Sequence, residues 1–336
     1  MSSKTPITLL AAIVAIVAVL ALPAAGEAKT NIAVGIGDQS PETFNNANFK
    51  ALKIKKARYF ISWDAIDSPE KLRLANEWLI AAKQARVRPL FHLDGVFSDS
   101  APSPSVYKKK VRALVKMYRR GTQGRASVPD WGVWNEANSK TQPVFNKASR
   151  TAKYFLALRS VCRGCTIVAL DLLDAGNING YIKGFYRALG KKKSLAKIVG
   201  MHNYGDTNRN KNNTRLIING VRKYNRRAQF WMTETGGISL LQSERPAGSG
   251  RLVPSRGLDC DPANPAKAEK RQAKAVAKMF SLAKKYRKYV KRLYPFNFFS
   301  TDCDKSLRFD AGLIRKDGSK RPAYNTLRRA MRSFKR

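Results

Sequence analysis

Two apolar segments of this chain each end in a single glutamate that lies beside small or amide residues. One segment runs from Trp131 to Glu136 and the other from Phe230 to Glu234, and their glutamates are 98 positions apart. Burying a carboxylate charge is costly, so packing explains a glutamate at the end of a hydrophobic strand poorly. Paired carboxylates are the working groups of glycosidic bond hydrolysis. We therefore take Glu136 and Glu234 as the candidate reactive pair.

Other polar and aromatic residues follow short apolar runs in the same way. They are Ser62-Trp63-Asp64, His92-Leu93-Asp94, Asn135, Asp171 and His202-Asn203-Tyr204. The set includes both histidines of the chain. The carboxyl ends of the strands of a parallel barrel meet at one face, so these side chains are expected to surround the two glutamates.

Short apolar runs alternate with longer amphipathic segments over nearly the whole chain. The predicted strands are residues 31–35, 57–61, 87–93, 131–134, 166–170, 198–202, 229–233 and 293–299. Predicted helices include residues 69–85, 105–120, 148–161, 214–224, 266–289 and 321–334. Eight such units predict a single-domain (β/α)8 barrel. An open doubly wound sheet is the alternative, although its glycine-rich phosphate loop is represented only by Gly35 and Gly37.

The residues around the glutamates carry a family resemblance. Trp134-Asn135-Glu136-Ala137-Asn138 and Thr233-Glu234-Thr235-Gly236 resemble the acid and nucleophile motifs of clan A retaining β-glycosidases. These "4/7" barrels include cellulase-like family 5 and xylosidase-like family 39 enzymes. His202 with Tyr204 is similar to their sixth-strand pair, Arg58 to their second-strand arginine, and residues 311–324 to their closing segment. The match spans nearly the whole mature chain.

This resemblance implies a role for each matching residue. Glu136 would be the general acid/base and Glu234 the nucleophile, with carboxyl groups ~5–5.5 Å apart. Arg58 would keep Glu234 ionised, Tyr204 would donate a hydrogen bond to it, and Asn135 would bind a sugar hydroxyl. Arg58 and Tyr204 are also expected at the substrate, together with His92, His202, Trp63 and Trp231.

The chain departs from the family pattern at three places. Ala137 replaces the usual proline after the acid glutamate, and His92-Leu93-Asp94 matches the third-strand motif only loosely. The segment 293–299 lacks the tryptophan that commonly forms the floor of the sugar site, for which a phenylalanine can substitute. These departures concern the identity of the substrate more than the catalytic chemistry.

The N-terminus predicts export. Lys4 precedes an apolar run from Ile7 to Leu22, and small residues follow it. This pattern is typical of a secretory signal peptide, here residues 1–28, which leaves residues 29–336 as the catalytic domain of an extracellular protein. An uncleaved membrane anchor is the alternative, although the run is shorter than the ~20 residues of a usual spanning helix.

Four cysteines are expected to form two disulfides in an exported protein. Cys162 and Cys165 form a local pair before the fifth strand. Cys260 and Cys303 would then connect the segments that follow the seventh and eighth strands. Zinc is the alternative ligand for the local pair, but the chain contains only two histidines.

The chain carries 64 Lys and Arg against 23 Asp and Glu, a net charge of +41. Such a charge attracts anionic wall polymers and membranes without specificity. The basic runs 108–110, 191–193 and 284–292 fall on or beside helices, so we expect an even distribution of charge and a neutral β-glycan substrate. A non-catalytic exported barrel that binds polyanions or the cell wall is the alternative function. We expect a monomer that needs no metal or other cofactor and binds no specific nucleic acid.

Overall fold

The computed structural model describes residues 30–95, 100–244, 251–255 and 257–335. The predicted signal peptide, residues 1–28, lies outside the described residues. Within the described ranges, no helix combines the length and the apolar composition that crossing a membrane requires.

The described part of the chain alternates strands with helices. The strands are β1 (Thr30–Val34), β2 (Ile36–Gly37), β3 (Lys56–Ser62), β4 (Arg88–Asp94), β5 (Asp130–Gly132), β6 (Thr166–Leu173), β7 (Ile198–His202), β8 (Gln229–Thr235), β9 (Leu240–Glu244), β10 (Leu252–Pro254), β11 (Val290–Pro295), β12 (Phe309–Asp310) and β13 (Phe334–Lys335). The helices are α1 (Glu42–Asn45), α2 (Ala47–Leu52), α3 (Pro69–Gln84), α4 (Pro104–Tyr118), α5 (Ala148–Val161), α6 (Ile178–Leu189), α7 (Tyr204–Arg209), α8 (Asn213–Arg222), α9 (Ala266–Lys285) and α10 (Pro322–Ala330).

Helix starts follow from local sequence. The side chains of Ser68 and Ser103 accept hydrogen bonds from backbone amides in the first turns of α3 and α4. Each serine is followed by a proline, Pro69 or Pro104, whose restricted φ suits the first helical position. These caps set where the chain leaves the sheet and begins its return along the outside of the barrel.

Ten parallel strands form one sheet in the order β13-β1-β11-β8-β7-β6-β5-β4-β3-β2. β2 follows β1 directly after Gly35 and pairs with β3, while β1 pairs with β11. The amide of Gly35 donates to the carbonyl of Leu293 at 2.8 Å, and Gly37 bridges to Phe296. The sheet therefore returns to its starting strand, and the chain forms the (β/α)8 barrel that the sequence predicts.

Side chains fill the barrel and the space between its strands and helices. One buried cluster contains Leu90, Val168, Trp231 and Tyr294, contributed by β4, β6, β8 and β11. A larger cluster lies between the strands and the surrounding helices. Burying one large apolar side chain stabilises the fold by about 1.5–3 kcal/mol, so this packing holds the strands in register. The register in turn determines which residues reach the strand ends.

The connections beyond β8 and β11 carry a small antiparallel sheet in the order β10-β9-β12, which the sequence did not predict. The Cys260–Cys303 disulfide joins the same two connections, with Cα atoms 5.6 Å apart. The Cys162–Cys165 disulfide closes the turn before β6, with Cα atoms 5.5 Å apart. Both predicted pairings are confirmed.

The predicted elements agree with the structure except near the C-terminus. The eighth barrel strand is Val290–Pro295 instead of residues 293–299. Phe296 still bridges to Gly37, and the chain then leaves the sheet, where the amide of Phe298 donates to Oδ2 of Asp38 at 2.7 Å. Helices α9 and α10 end at Lys285 and Ala330, earlier than the predicted residues 289 and 334. The strands β11 and β13 follow them and begin at Val290 and Phe334.

Candidate active site

The two candidate glutamates lie at the carboxyl end of the barrel. Glu234 belongs to β8, and Glu136 lies four residues beyond β5. A carboxylate oxygen of each and a ring nitrogen of His202 all lie within 4.8 Å of one another. Glu136 has a φ of 44°, a left-handed conformation that is uncommon for a residue with a side chain and recurs at functional sites. The two carboxylates therefore share one site.

Both carboxylate oxygens of Glu234 accept hydrogen bonds. Nη1 of Arg58 lies 2.8 Å from Oε2, and the Tyr204 hydroxyl lies 3.0 Å from Oε1. Burial, and then the charge of Glu234, raise the pKa of Tyr204 well above its ordinary value, so the phenol keeps its proton and donates. Hydrogen bonds of this kind stabilise a carboxylate in its ionised form, which is the form that acts as a nucleophile.

A further carboxylate, Asp171, lies fully buried behind this pair. Its Oδ2 is 2.9 Å from Nε2 of His202 and 3.4 Å from Nη2 of Arg58. Burial opposes the charge, but the charged His202 ring and Arg58 hold the pKa of Asp171 well below its ordinary value. A Cβ atom on Gly200 would lie 1.9 Å from Oδ1 of Asp171, so a glycine at this position makes room for the carboxylate.

His202 joins Asp171 to Glu136 and carries a positive charge. Its Nδ1 lies 2.8 Å from Oε1 of Glu136, and its Nε2 lies 2.9 Å from Oδ2 of Asp171. Burial opposes protonation of the ring, but the charges of Asp171 and Glu234 raise the pKa of His202 to about 10. Nη2 of Arg58 also lies 3.2 Å from Nε2. We read this as a contact between two donors, because the acceptor Asp171 is closer to the ring.

His92 is neutral although it lies in the same cluster. Nε of Arg58 donates to Nδ1 of His92 at 3.1 Å, which requires a lone pair on that nitrogen. Burial is the main reason that the pKa of His92 is lowered to about 3. A Cβ atom on Gly132 would lie 2.1 Å from the His92 ring, so the strand can approach this closely only through a glycine. The two histidines of the site thus differ in charge.

Arg58 connects the cluster to Asn135, the residue that precedes Glu136. Its Nη2 donates to Oδ1 of Asn135 at 2.7 Å, and Nδ2 of Asn135 lies 3.3 Å from Oδ2 of Asp94. Asn135 is 8% exposed. The amide is therefore held at the edge of the site by bonds on both of its ends, and its predicted contact with a sugar hydroxyl remains a prediction.

A cavity of about 1170 Å³ opens above the glutamates. Its walls include Asp174, Tyr204, Phe296 and Phe309 as well as both glutamates. Phe296 follows β11 directly, where the family pattern expects a tryptophan. Its ring centroid lies 5.9 Å from that of Phe309, so the two rings form an aromatic wall.

Not every residue expected at the substrate reaches this cavity. Trp231 is 2% exposed inside the barrel, where the guanidinium carbon of Arg292 lies 3.8 Å from the centre of its ring. The prediction that Trp231 contacts substrate is wrong, because Arg292 and the interior cluster cover its side chain. Trp63 is partly buried just beyond β3 and packs against the core, so its sugar contact stays a prediction.

Arg58, His92 and His202 were also expected at the substrate. All three are fully buried. They contact the carboxylates Glu234, Asp171 and Glu136 from within the protein. Their expected contact with substrate is therefore corrected to contact with these carboxylates, which the sequence had already predicted for Arg58 and Glu234.

The sequence interpretation gave no role to two aspartates of the site. The sequence placed Asp171 at the end of a strand. The feature that could have identified it is a carboxylate within the otherwise apolar strand β6. Asp174 lines the cavity, and its Oδ2 accepts from the amides of Gly205 at 2.7 Å and Asp206 at 3.2 Å. Burial, and then the charge of Asp206, raise the pKa of Asp174 to about 8. No sequence motif marks Asp174, since its burial arises from the fold.

Glu136, His202 and Glu234 also form a group with the composition of a metal site. A metal needs a free lone pair on the histidine ring. Both ring nitrogens of His202 face carboxylate oxygens at under 3 Å, and a pKa of about 10 keeps both protonated at neutral pH. The donor set therefore does not suit a metal ion while His202 is charged.

Several solved structures share this fold. An intracellular xylanase from Thermoanaerobacterium saccharolyticum is 13% identical, with 88% of this chain and 95% of that chain covered and a TM-score of 0.58. A GH10 endoxylanase from a sugarcane soil metagenome is 15% identical, with coverages of 89% and 97% and a TM-score of 0.62. A glucosidase from Croceicoccus marinus is 12% identical, with coverages of 91% and 68% and a TM-score of 0.62.

These similarities show that the chain shares the barrel fold of glycoside hydrolases. No protein-family model and no curated protein matches the sequence. Arguments about activity therefore depend on the geometry of the site.

Proposed function

We propose that this protein is a β-glycoside hydrolase that acts with retention of configuration. The observation that carries the proposal is the shared site of Glu136 and Glu234, whose carboxylate oxygens lie within 4.8 Å of each other. Retaining enzymes hold their two carboxyl groups about 5–5.5 Å apart, whereas inverting enzymes leave about 6.5–9.5 Å for a water molecule. The short separation favours direct attack by one carboxylate.

In the first step, the Glu234 carboxylate attacks the anomeric carbon and the glycosidic bond breaks. Glu136 transfers its proton to the departing oxygen. His202 donates to Oε1 of Glu136, so the transferable proton belongs on Oε2. Arg58 and Tyr204 hold Glu234 in its ionised form before the attack. The products are a glycosyl ester on Glu234, a free alcohol and an ionised Glu136.

In the second step, Glu136 accepts a proton from water while the water oxygen attacks the anomeric carbon of the ester. The bond between sugar and Glu234 breaks, and both glutamates return to their starting states. This reversal of the acid role is required because the same group faces the leaving oxygen and the incoming water. Glu136 gives one proton to the leaving oxygen and regains one from the water, so the cycle needs no other acid or base.

The buried charges support the assignment of Glu234 as nucleophile and Glu136 as acid/base. Arg58 and His202 carry two positive charges, and Glu234 and Asp171 carry two negative charges. After the first step Glu234 is a neutral ester and Glu136 is an anion, so the total charge of the cluster is unchanged. A site that keeps its charge balance avoids the large cost of an uncompensated charge in a desolvated place.

We further propose a neutral β-linked glycan as substrate. Phe296, Phe309 and Tyr204 give the cavity aromatic surface, onto which the apolar faces of sugar rings can pack. Among the nineteen lining residues that the structure describes, two are basic, Arg209 and Lys211, so this part of the cavity offers little attraction to a polyanion. The related folds of xylanases and a glucosidase support a β-linked pyranose in this cavity.

Export and the monomeric state belong to the same proposal. The two disulfides are compatible with an oxidising compartment, as the predicted signal peptide requires. Mass spectrometry of the protein recovered from culture medium would show an N-terminus near residue 29 if the peptide is removed. Light scattering would report the monomer.

The test of the activity uses aryl β-glycosides and neutral β-glucans, mannans and xylans with wild-type protein. Glu234→Ala should abolish turnover, and azide should restore part of it by supplying a replacement nucleophile. Glu136→Ala should slow substrates with poor leaving groups most, because these depend on protonation. Wild-type rates in both variants would refute the assignment, and the absence of hydrolysis by wild-type protein would favour a polyanion-binding barrel.

A further inference from the structure

A group of basic residues lies at the end of the barrel opposite the glutamates. A second cavity, of about 600 Å³, opens at the starts of β4 and β5. Four of its eleven lining residues are basic, namely Lys83, Arg86, Arg88 and Arg125. Basic residues make up 64 of 336 in the whole chain, so this cavity is richer in them than the average and the catalytic cavity is poorer. The predicted even distribution of charge over the molecule stays a prediction.

More cations extend this surface beyond the cavity. Lys56 pairs with Arg88 in the register of β3 and β4. Burial, and then the charges of Arg292, Arg88 and Lys335, lower the pKa of Lys56, which places these four cations close together. We call the whole set the basic face; it consists of Lys56, Lys83, Arg86, Arg88, Arg125, Arg292 and Lys335.

The basic face already binds one carboxylate of the protein itself. Arg88 holds Asp130 through Nη2 to Oδ1 at 2.6 Å and Nε to Oδ2 at 2.8 Å, and Nη1 of Arg292 reaches Oδ2 at 2.6 Å. This two-bond arrangement is the preferred geometry between guanidinium and carboxylate groups. Asp130 is buried, whereas the Arg88 side chain is 43% exposed and keeps surface for a second acceptor.

Four cations line the cavity, and one of them, Arg88, is already paired with Asp130. No acidic residue is among those that line it in the described part of the chain. Arg86 is exposed and has no acidic partner within the described ranges, and the hydroxyls of Thr122 and Ser127 lie in the same lining. Lys83 donates to the carbonyls of Thr122 and Gln123 and so fixes one wall. The arrangement offers charge and hydrogen-bond donors to an anion from outside.

We propose that the basic face is a binding site for a linear, carboxylate-bearing polysaccharide. Bound there, the polymer would hold the protein by the end of the barrel that is remote from the glutamates and leave the catalytic cavity open. The seven cations are spread over the starts of several strands, which suits a polymer with repeated charges better than a single small anion. This inference does not depend on the proposed hydrolase activity.

The test compares two triple variants of the full chain that lose the same net charge. One is Lys56→Gln, Arg86→Gln and Lys335→Gln on the basic face. The control is Lys267→Gln, Lys270→Gln and Lys274→Gln, which are exposed on α9. At about 0.15 M salt, affinity for polygalacturonate should fall about tenfold or more in the first variant and less than about twofold in the control. Thermal unfolding of both variants checks that each remains folded.

Three outcomes would overturn the proposal. Equal losses in both variants would mean that net charge alone causes binding. Failure of the wild-type protein to bind polygalacturonate at that salt concentration would show that the basic face is not a binding site for this polymer. Binding of duplex DNA or anionic vesicles that is equally tight, and equally weakened by the basic-face variant, would show that the surface does not select a carboxylate polymer.

Discussion

Nη1 of Arg58 lies 2.8 Å from Oε2 of Glu234, although 176 positions separate the two residues. Arg58 is fully buried, and its other nitrogens contact His92 and Asn135. One guanidinium group therefore positions residues from β4, from β8 and from the segment after β5. This arrangement predicts how the site responds to loss of single partners.

Arg58→Lys should reduce kcat/KM by about 100-fold or more, because an ammonium group is a point charge that cannot hold Glu234, Asn135 and His92 together. Steady-state kinetics on an aryl β-glycoside would measure this. Arg315→Lys is the matched control, since Arg315 also pairs with a buried carboxylate, Glu269, but outside the site. Equal losses of activity in the two variants would mean that destabilisation explains both.

His202 should make stability fall between about pH 6.5 and pH 10. Its pKa in the folded protein, about 10, is above its ordinary value of about 6.5, so the folded state binds the extra proton in this window. The stabilisation is complete below pH 6.5 and is lost as the pH rises through 10. Denaturant unfolding at several pH values should show that the free energy of unfolding changes less with pH in His202→Gln than in the wild-type protein.

His92→Gln is the control for that experiment. The pKa of His92 is lowered to about 3, so its contribution changes between about pH 3 and 6.5 and is constant above that range. His92→Gln should keep the wild-type slope above pH 7. An unchanged slope in His202→Gln would contradict the positive charge that we assign to His202.

Asp174→Asn should stabilise the protein at alkaline pH. The pKa of Asp174 is raised to about 8, so the folded state retains a proton that the unfolded chain releases near pH 4, and stability falls as the pH rises from about 4 to 8. An asparagine has no such penalty and can still accept from Gly205 and Asp206. The gain at pH 9 should be at most about 6 kcal/mol, with little difference near pH 3.

Asp130→Asn provides the opposite case. Burial opposes the charge of Asp130, but Arg88 and Arg292 lower its pKa, so removal of the carboxylate should destabilise the protein at neutral pH. Denaturant unfolding of both aspartate variants at pH 7 and 9 separates the two behaviours. A stability loss in Asp174→Asn at pH 9 would show that its carboxylate is needed in the ionised form.

The two disulfides should differ in their contribution to stability. Cys260 and Cys303 are 43 positions apart, and Cys162 and Cys165 are three apart. Chain entropy predicts a loss of about 4 kcal/mol for the double serine variant of the first pair and about 2 kcal/mol for the second. Urea unfolding of the two double variants would measure this. A larger loss from the short-range pair would contradict the entropic account.

Local sequence was enough to predict the main architecture. Apolar runs of strand length separated by amphipathic helices indicated eight units, because side-chain burial follows the period of each element. The small sheet β10-β9-β12 was missed, since its strands are short and lie in the connections. The end of the eighth strand was also missed, because Phe298 bonds to Asp38, which is 260 positions away.

In the candidate site, too, some residues could be predicted from local sequence and others depended on contacts between distant segments. Glu136 and Glu234 could be recognised because each ends an apolar run beside a short motif. The prediction for Trp231 was wrong because alternation along a strand decides whether a side chain faces the barrel interior. The sequence did not show which residues of this strand face the interior. Asp174 could not be recognised at all, since its burial depends on Gly205 and Asp206 from another connection.

The sequence by itself determined the barrel, the two candidate glutamates and the pairing of the cysteines, because these depend on residue type, periodicity and order along the chain. Only the tertiary structure decided that His202 is charged and His92 neutral, although both follow apolar strands in the same way. The tertiary structure also placed the basic face at the end of the barrel away from the glutamates. Charge states and surface fields depend on burial and on distances between residues from different strands, and folding alone brings those residues together.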